Sequence, residues 1–445
     1  MSAPTSDRSL KLAAAGLAVA APLLAWLLGD LVGPRGQAAG GAVCFVSLCA
    51  LCSTNLRAVN WRTIGWGIAI QVTLALLILK VEIGGVRPGY AFFSAVADVV
   101  KRFLEFTAAG SAFVFGPLAS GEAMGAVFGP ANGFVFAFAA LPTIIFISSF
   151  FTLLYYVGVL QLVVWLMARV MMFAMRTSGA ETLAAAANVF MGQTEAPIIV
   201  KPYVAAMTRS ELLAMMAGGM ATISGGVMAV YIGLGADPIA ILTTSVMAAP
   251  CGLYLSKLLL PEEERPSTGG AVTLTIERHH VNAIDAVSAG ASDGLMLALN
   301  VAAMLIAFLA FIALVDALLG SLWSGLTLAR VFATVFAPVA FLMGISPADL
   351  GPMADLLGTK LVANEFVAFV KLTTEYKGVL SERGYVLATY ALTGFANLSS
   401  IGIQLGGIGG MAPTRRGDLA RLGGRALLAG FLATLVNACL ASMLL

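Results

Sequence analysis

Residues 180–206 read AETLAAAANVFMGQTEAPIIVKPYVAA, with Gly192-Gln193-Thr194-Glu195-Ala196-Pro197 near the middle. The stretch is apolar on both sides of that polar knot, yet too short and interrupted to cross a bilayer twice. Each limb offers ~13 residues, or ~20 Å of helix, against a hydrocarbon core of ~30 Å. It suits a re-entrant hairpin, which dips in and returns on the same side. Residues 350–376 have the same character and hold Ala363-Asn364-Glu365-Phe366-Val367 at their tip. Backbone exposed at such tips is tolerated only where protein or a water-filled cavity surrounds it.

The segment after each hairpin carries the same punctuation. Gly219-Met220-Ala221-Thr222-Ile223-Ser224 follows the first, and Gly394-Phe395-Ala396-Asn397-Leu398-Ser399 follows the second. Both fit G-x-A-x-x-S, and their small and polar residues weaken a helix in mid-membrane. A small-residue packing face between helices would explain either match alone. Two matches, each in step with an intramembrane glutamate, point instead to a transporter site at a repeat interface.

Working outward, 60% of the 445 residues are apolar, 11% are charged, and the mean hydropathy is +0.95. Soluble domains carry roughly 25% charged residues, so this chain lacks the polar surface to face water all round. A net charge of +2 gives no reason to expect a nucleic-acid partner. Apolar runs that can cross lie at 10–32, 38–56, 63–84, 138–174, 211–235, 238–260, 285–318, 326–345, 384–411 and 420–445. Residues 90–109 place Phe92, Phe93, Val96, Val99, Val100, Phe103 and Leu104 at helical spacing between charges, as in a helix lying on the membrane surface. Residues 110–137 read as an irregular connection. The polar stretch 261–281, with the strand-like run Val272–Ile276 and both histidines, reads as a solvent loop. His279 and His280 diverge on any regular backbone, so a solvated pair is expected rather than a metal site. Cys49 and Cys52 are C-x-x-C spaced inside an apolar run, without a second pair, and read as small helix residues.

The expectation is an all-α polytopic membrane protein in contact with the lipid bilayer, with about eight to ten membrane helices plus two re-entrant hairpins in an inverted repeat. Its parts are N-terminal spans and an interfacial helix as scaffold (1–137), a first repeat (138–260), a polar linker (261–281) and a second repeat (282–445). The repeats hold hairpins 180–206 and 350–376 and interrupted helices 211–235 and 384–411.

An ionised carboxylate at membrane depth costs several kcal/mol unless it is paired or faces a wet cavity. Lys201 and Lys360 miss the three-or-four spacing that would pair them with Glu195 and Glu365 on a helix. A polar ligand or a bound cation is the more natural partner. Gln193, Thr194, Glu195, Asn364, Glu365, Asn397 and Ser400 supply amide, hydroxyl and carboxylate groups without an arginine. That set suits a neutral, multiply hydroxylated solute with a hydrogen-bonding ring, on which Phe366 and Phe395 can stack.

GQTEAP (192–197), NEFVAF (364–369) and FANLSSIGIQLGG (395–407) resemble the concentrative nucleoside transporter family, and the resemblance extends from the first span to the C-terminus. It implies a secondary active transporter, a homotrimer in which a substrate-carrying unit shifts across the membrane against a fixed scaffold, importing nucleosides by cation symport. It places base-side contacts on Gln193, Thr194 and Glu195, and ribose-side contacts on Glu365, Asn397 and Ser400. It places sodium at Asn188, Met191, Thr222 and Ile223, the second and fourth through their carbonyls. Some bacterial members couple to protons, so the driving ion is Na+ or H+. The expected location is the inner (plasma) membrane. A proton-coupled carrier of another polar solute is the alternative. A membrane-embedded enzyme is disfavoured, because no H-E-x-x-H motif or Ser/His arrangement is present. No repeated filter or charged ring marks a channel. The last connection carries Arg415, Arg416, Arg421 and Arg425 against Asp418, which favours the cytoplasmic side there.

Overall fold

The computed structural model describes residues 4–129, 133, 135–139, 141–269 and 280–445. The run Val272–Ile276 and His279 lie outside them. Helices carry the architecture, and the isolated bridge Ile83–Val86 is the β pairing seen among the described residues. Eight helices there are long and apolar enough to cross a membrane.

The N-terminal part holds α1 (Pro4–Leu27), α2 (Gly29–Leu51), α3 (Trp61–Leu79) and α4 (Pro88–Phe115). Helix α4 leaves Asp98, Lys101, Arg102 and Glu105 exposed, while Phe103 stacks on Phe146 at 4.5 Å. It also runs through 110–115, so the expected irregular connection begins only at Gly116, whose φ of 56° ends the helix. Two short helices follow, α5 (Gly121–Phe128) and α6 (Phe136–Ala139). The apolar run expected as one piece at 138–174 is two helices, α7 (Leu141–Val157) and α8 (Val159–Met175). Gly158 divides them at φ 94°, a left-handed conformation that glycine adopts without steric cost.

The first hairpin is α9 (Gly179–Ala187), a turn, and the single-turn helices α10 (Ala196–Ile199) and α11 (Lys201–Val204). A broken helix follows: α12 (Arg209–Ala221) stops at Thr222, and α13 (Gly225–Leu234) restarts after Ser224, whose hydroxyl accepts from Val227 N. Then comes α14 (Pro238–Leu259). The second half repeats the order. Helices α15 (Ala283–Leu322) and α16 (Leu328–Leu342) precede the hairpin α17 (Leu350–Val362) and α18 (Glu365–Thr374). The broken helix is α19 (Glu382–Leu392) and α20 (Leu398–Met411), and α21 (Arg416–Leu444) closes the chain.

Burial separates two kinds of helix. Helices α12, α14 and the distal part of α21 are buried nearly all round, whereas α1, α4 and α15 expose long apolar faces. Helix α15 is 40 residues long, or ~60 Å at 1.5 Å per residue, about twice the thickness of a ~30 Å core. It lies along α7, where Gly290 and Gly294 let the backbones touch: a Cβ at either would fall 2.7 Å from the Cα of Ser149 or Ile145. Small residues four apart are how membrane helices approach when burial in water no longer drives them together.

Candidate functional site

The two hairpin tips and the two helix breaks meet. Gly225 N donates to Phe190 O at 2.8 Å, joining the first break to the first tip, and Phe395 N donates to Thr222 O at 3.0 Å, joining the two breaks. The first glycine of each G-x-A-x-x-S makes this approach possible. A Cβ on Gly394 would sit 2.6 Å from Thr434 Cγ2 and 3.0 Å from Ala221 O, and its φ of 153° already disfavours a side chain. A Cβ on Gly219 would sit 2.8 Å from the Cβ of Gln193.

Around the junction the polar side chains form one connected set. Asn397 caps α20 by accepting from Ser400 N at 2.9 Å, and its Nδ2 donates to Glu365 Oε2 at 2.8 Å. Tyr231 OH donates to Glu365 Oε1 at 3.1 Å. Gln193 Nε2 donates to Ser400 Oγ at 3.0 Å, and Gln404 Nε2 donates both to Gln193 Oε1 at 3.1 Å and to Met216 O at 2.9 Å. Glu365, Asn397, Ser400 and Gln193 are all buried. Residues about two hundred positions apart in sequence thus face one another across the hairpins.

Asn364 caps α18 through Val367 N at 2.8 Å. Thr194 lies against Gly407 of α20, where a Cβ would meet its methyl at 2.6 Å. Glu195 turns its Oε2 back to accept from Gly192 N at 3.0 Å. It stays exposed beside a cavity of about 230 Å³, whose walls include Met191, Ser224, Tyr155 and Asp293. Phe395 is half-buried at the second break. Phe366 packs edge-on against Tyr231 at 5.4 Å and Phe136 at 5.7 Å.

Beside the first tip, Asn188 is fully buried, and neither atom of its amide has a hydrogen-bond partner among the described residues. Thr222 spends its proton on Gly218 O at 2.9 Å, which leaves its oxygen lone pairs free. An orphaned amide oxygen, a hydroxyl oxygen and carbonyls of non-helical backbone are the donors a hard monovalent cation requires. No group of three metal-ligating His, Cys, Asp or Glu side chains occurs among the described residues. His280 faces Asp285 at 3.6 Å, and the cysteines are free, with Cys49 donating to Leu255 O.

Two contributors escaped the sequence reading: Tyr231 and Gln404. Each is the one strongly polar side chain of an apolar helical stretch, which signals a partner without naming it.

Comparison with known proteins accords with this geometry. Residues 40–118 match the model for the Na+ dependent nucleoside transporter N-terminus, 137–238 the model for nucleoside recognition (Gate), and 240–442 the model for the same transporter's C-terminus. A transporter of Haemophilus influenzae is 42% identical over 413 residues, covering 91% of this chain and 96% of its own. Sodium/nucleoside cotransporter 1 is 40% identical in mouse and in human, over 96% of this chain and 67% of the mammalian proteins. Among solved structures, CNTnw in an inward-facing substrate-bound state superimposes with a TM-score of 0.86 at 38% identity, covering 92% of this chain and 97% of its own. A doubly substituted CNTnw in an outward-facing state gives 0.87, with the same identity and coverage. The chain belongs to the Na+-dependent nucleoside transporter family, whose members are multi-span membrane carriers and not enzymes.

Proposed function

We propose that this chain imports nucleosides across the inner (plasma) membrane by sodium symport, as a homotrimer. The observation that carries the reading is the hydrogen-bonded set Glu365–Asn397–Ser400–Gln193, assembled from both hairpins and the second helix break. Glu365, Asn397 and Ser400 hold the sugar hydroxyls, and Gln193, Thr194 and Glu195 address the base, with Phe395 and Phe366 as apolar walls. Sodium binds at Asn188, Thr222 and the carbonyls of Met191 and Ile223. In support, the donors are oxygens and the amide of Asn188 is otherwise unused.

Coupling follows from adjacency. Thr222 O accepts from Phe395 N, so a cation that fixes the first break also fixes the residue that walls the base. Each ligand then favours the geometry the other needs, and linkage makes the effect reciprocal. Residues 138–260 and 282–445 act as the two repeats, joined by the linker 261–281, with 1–137 as scaffold. The tips and breaks move as one unit, presenting the site alternately to each side; relatives have been solved in inward- and outward-facing states.

The test is uptake of labelled uridine into proteoliposomes. A sodium gradient should drive accumulation above equilibrium. Uptake that follows a pH gradient and ignores sodium would replace this reading with proton coupling through Glu195 or Glu365.

A further inference from the structure

A cavity of about 980 Å³ opens at one end of the bundle, where α1, α12 and α21 begin and α14 ends. None of its walls belongs to the site described above. Arg57 reaches it from the connection between α2 and α3, and Arg209 from the first residue of α12. Arg421 and Arg425 reach it from α21, four residues apart and so on one face of that helix.

Four guanidiniums share this cavity with two carboxylates, Asp7 and Glu263, which leaves an excess of two positive charges. Both carboxylates are engaged elsewhere. Asp7 Oδ1 accepts from Leu56 N at 2.9 Å, and its other oxygen faces Lys11 at 3.6 Å. Glu263 Oε1 accepts from Asn55 Nδ2 at 2.7 Å. Arg209, Arg421 and Arg425 make no hydrogen bond or ion pair among the described residues.

Arginines with a structural task look different in this chain. Arg415 pairs with Asp418 at 3.0 Å and donates to Ala205 O at 3.0 Å. Arg383 donates to Gly344 O at 2.7 Å and Ser442 O at 2.8 Å. Arg425, by contrast, is half-buried beside the buried Leu422 and has no such partner. A charge partly withdrawn from water without a counterion is unfavourable, and like charges four residues apart oppose the helix that carries them. An anion seated between them removes both costs. A basic edge suffices to orient a membrane protein. Orientation does not require three separate segments to gather guanidiniums around one cavity, with the carboxylates turned aside.

We propose that this cavity binds a doubly charged phosphate group, carried by a soluble phosphomonoester or by the paired phosphates of a lipid headgroup. Two negative charges match the excess on the walls. The guanidinium fork offers parallel N–H donors that fit two phosphate oxygens, which a lysine ammonium does not. Leu260 and Leu422 supply apolar wall for the rest of the ligand. A bound phosphate ties the starts of α12 and α21 to the connection between α2 and α3, so it stabilises the fold. The proposal does not rest on the nucleoside reading.

The test uses the purified full-length protein in low-salt buffer at pH 7.5. Calorimetric titration with inorganic phosphate and with uridine 5′-monophosphate reads the soluble source. Inorganic phosphate carries neither base nor sugar, which keeps this test apart from the nucleoside site. Thermal midpoints in nanodiscs of cardiolipin mixed with phosphatidylcholine, against phosphatidylcholine alone, read the lipid source. Saturable binding of either soluble probe, or a midpoint raised by cardiolipin, is expected in the parent protein. The double variant Arg421→Gln/Arg425→Gln should weaken soluble binding at least ~10-fold, since each lost contact is a hydrogen bond between charged groups, or abolish the cardiolipin shift. Arg421→Lys/Arg425→Lys keeps the charge and should lose most of the same effect. Should either double variant fail to fold, Arg209→Gln on α12 must show a loss in the same direction. Absence of binding and of any cardiolipin shift in the parent would overturn the proposal. So would glutamine variants that respond like the parent. Lysine variants that match the parent would reduce the cavity to diffuse surface charge and overturn it equally.

Discussion

Glu365→Gln isolates the charge of the central carboxylate while keeping its shape. In the structure Oε1 accepts from Tyr231 OH at 3.1 Å and Oε2 from Asn397 Nδ2 at 2.8 Å. A glutamine can keep its oxygen toward Asn397 and turn its NH2 toward Tyr231, whose phenolic oxygen also accepts. The variant should therefore fold, with a lower thermal midpoint, and lose mainly the charge-assisted bonds to the solute. A hydrogen bond to a charged group contributes about 1.5–3 kcal/mol, so uridine affinity should fall roughly ten- to hundredfold. Deoxynucleosides lacking the 2′- or 3′-hydroxyl make fewer of these bonds in the parent protein and should lose less. Calorimetric titration of parent and variant with uridine and its 2′- and 3′-deoxy forms reads both effects. Uridine affinity within threefold of the parent would remove Glu365 from the site. An equal loss for all three ligands would show that the carboxylate shapes the pocket without touching the sugar.

Three further outcomes follow from the same geometry. Asn188→Ala should flatten the rise of uridine affinity with sodium in a protein of parental stability; a steep dependence that persists would move the cation elsewhere. Single cysteines at Thr194 and Asn364, in a background without the five native thiols, should both be shielded from impermeant reagents by nucleoside and be reached from opposite faces. Labelling of both from the same face in a locked state would break the inverted arrangement. Gly394→Ala would force a Cβ to within 3.0 Å of Ala221 O at a φ of 153°; strained backbone costs of order 1–3 kcal/mol, so the thermal midpoint should fall with binding, and a parental midpoint would show that the breaks do not pack this closely.

Much of this site was legible because the bilayer makes polarity informative. A polar knot such as Gln193-Thr194-Glu195 inside an apolar stretch has few physical excuses, and two such knots followed by G-x-A-x-x-S define a repeat. What stayed hidden was partnership. Gln404 reaches Gln193 and Met216 O across about two hundred residues of sequence, and Tyr231 meets Glu365 from the other repeat. Lys360 was rightly excluded as a helical neighbour of Glu365, but the spacing rule is silent about Ala391 O and Thr434, where its proton donors go. The division of 138–174 was lost for a different reason. Nothing in Val157-Gly158-Val159 distinguishes a glycine held at φ 94° from one packed inside a helix.

The contacts among the site residues bear on how a nucleoside would be selected. Gln193 and Ser400 hydrogen-bond to each other, and Glu365 is satisfied by Tyr231 and Asn397. A solute that enters between them must break these bonds and return as many, since a buried donor or acceptor left unpaired costs about 1–3 kcal/mol. Hydroxyls replace hydroxyls and amide edges replace amide edges, so the exchange among neutral groups contributes little net free energy. On the proposed site, the gain would rest on hydroxyl donors to the carboxylate of Glu365 and on apolar contact with Phe395. A solute of the same size that lacks the matching donors leaves Glu365 or Gln193 unpaired and is rejected by that cost. Selection of this kind works against missing hydroxyls more strongly than against altered ring size, and it needs no arginine at the site.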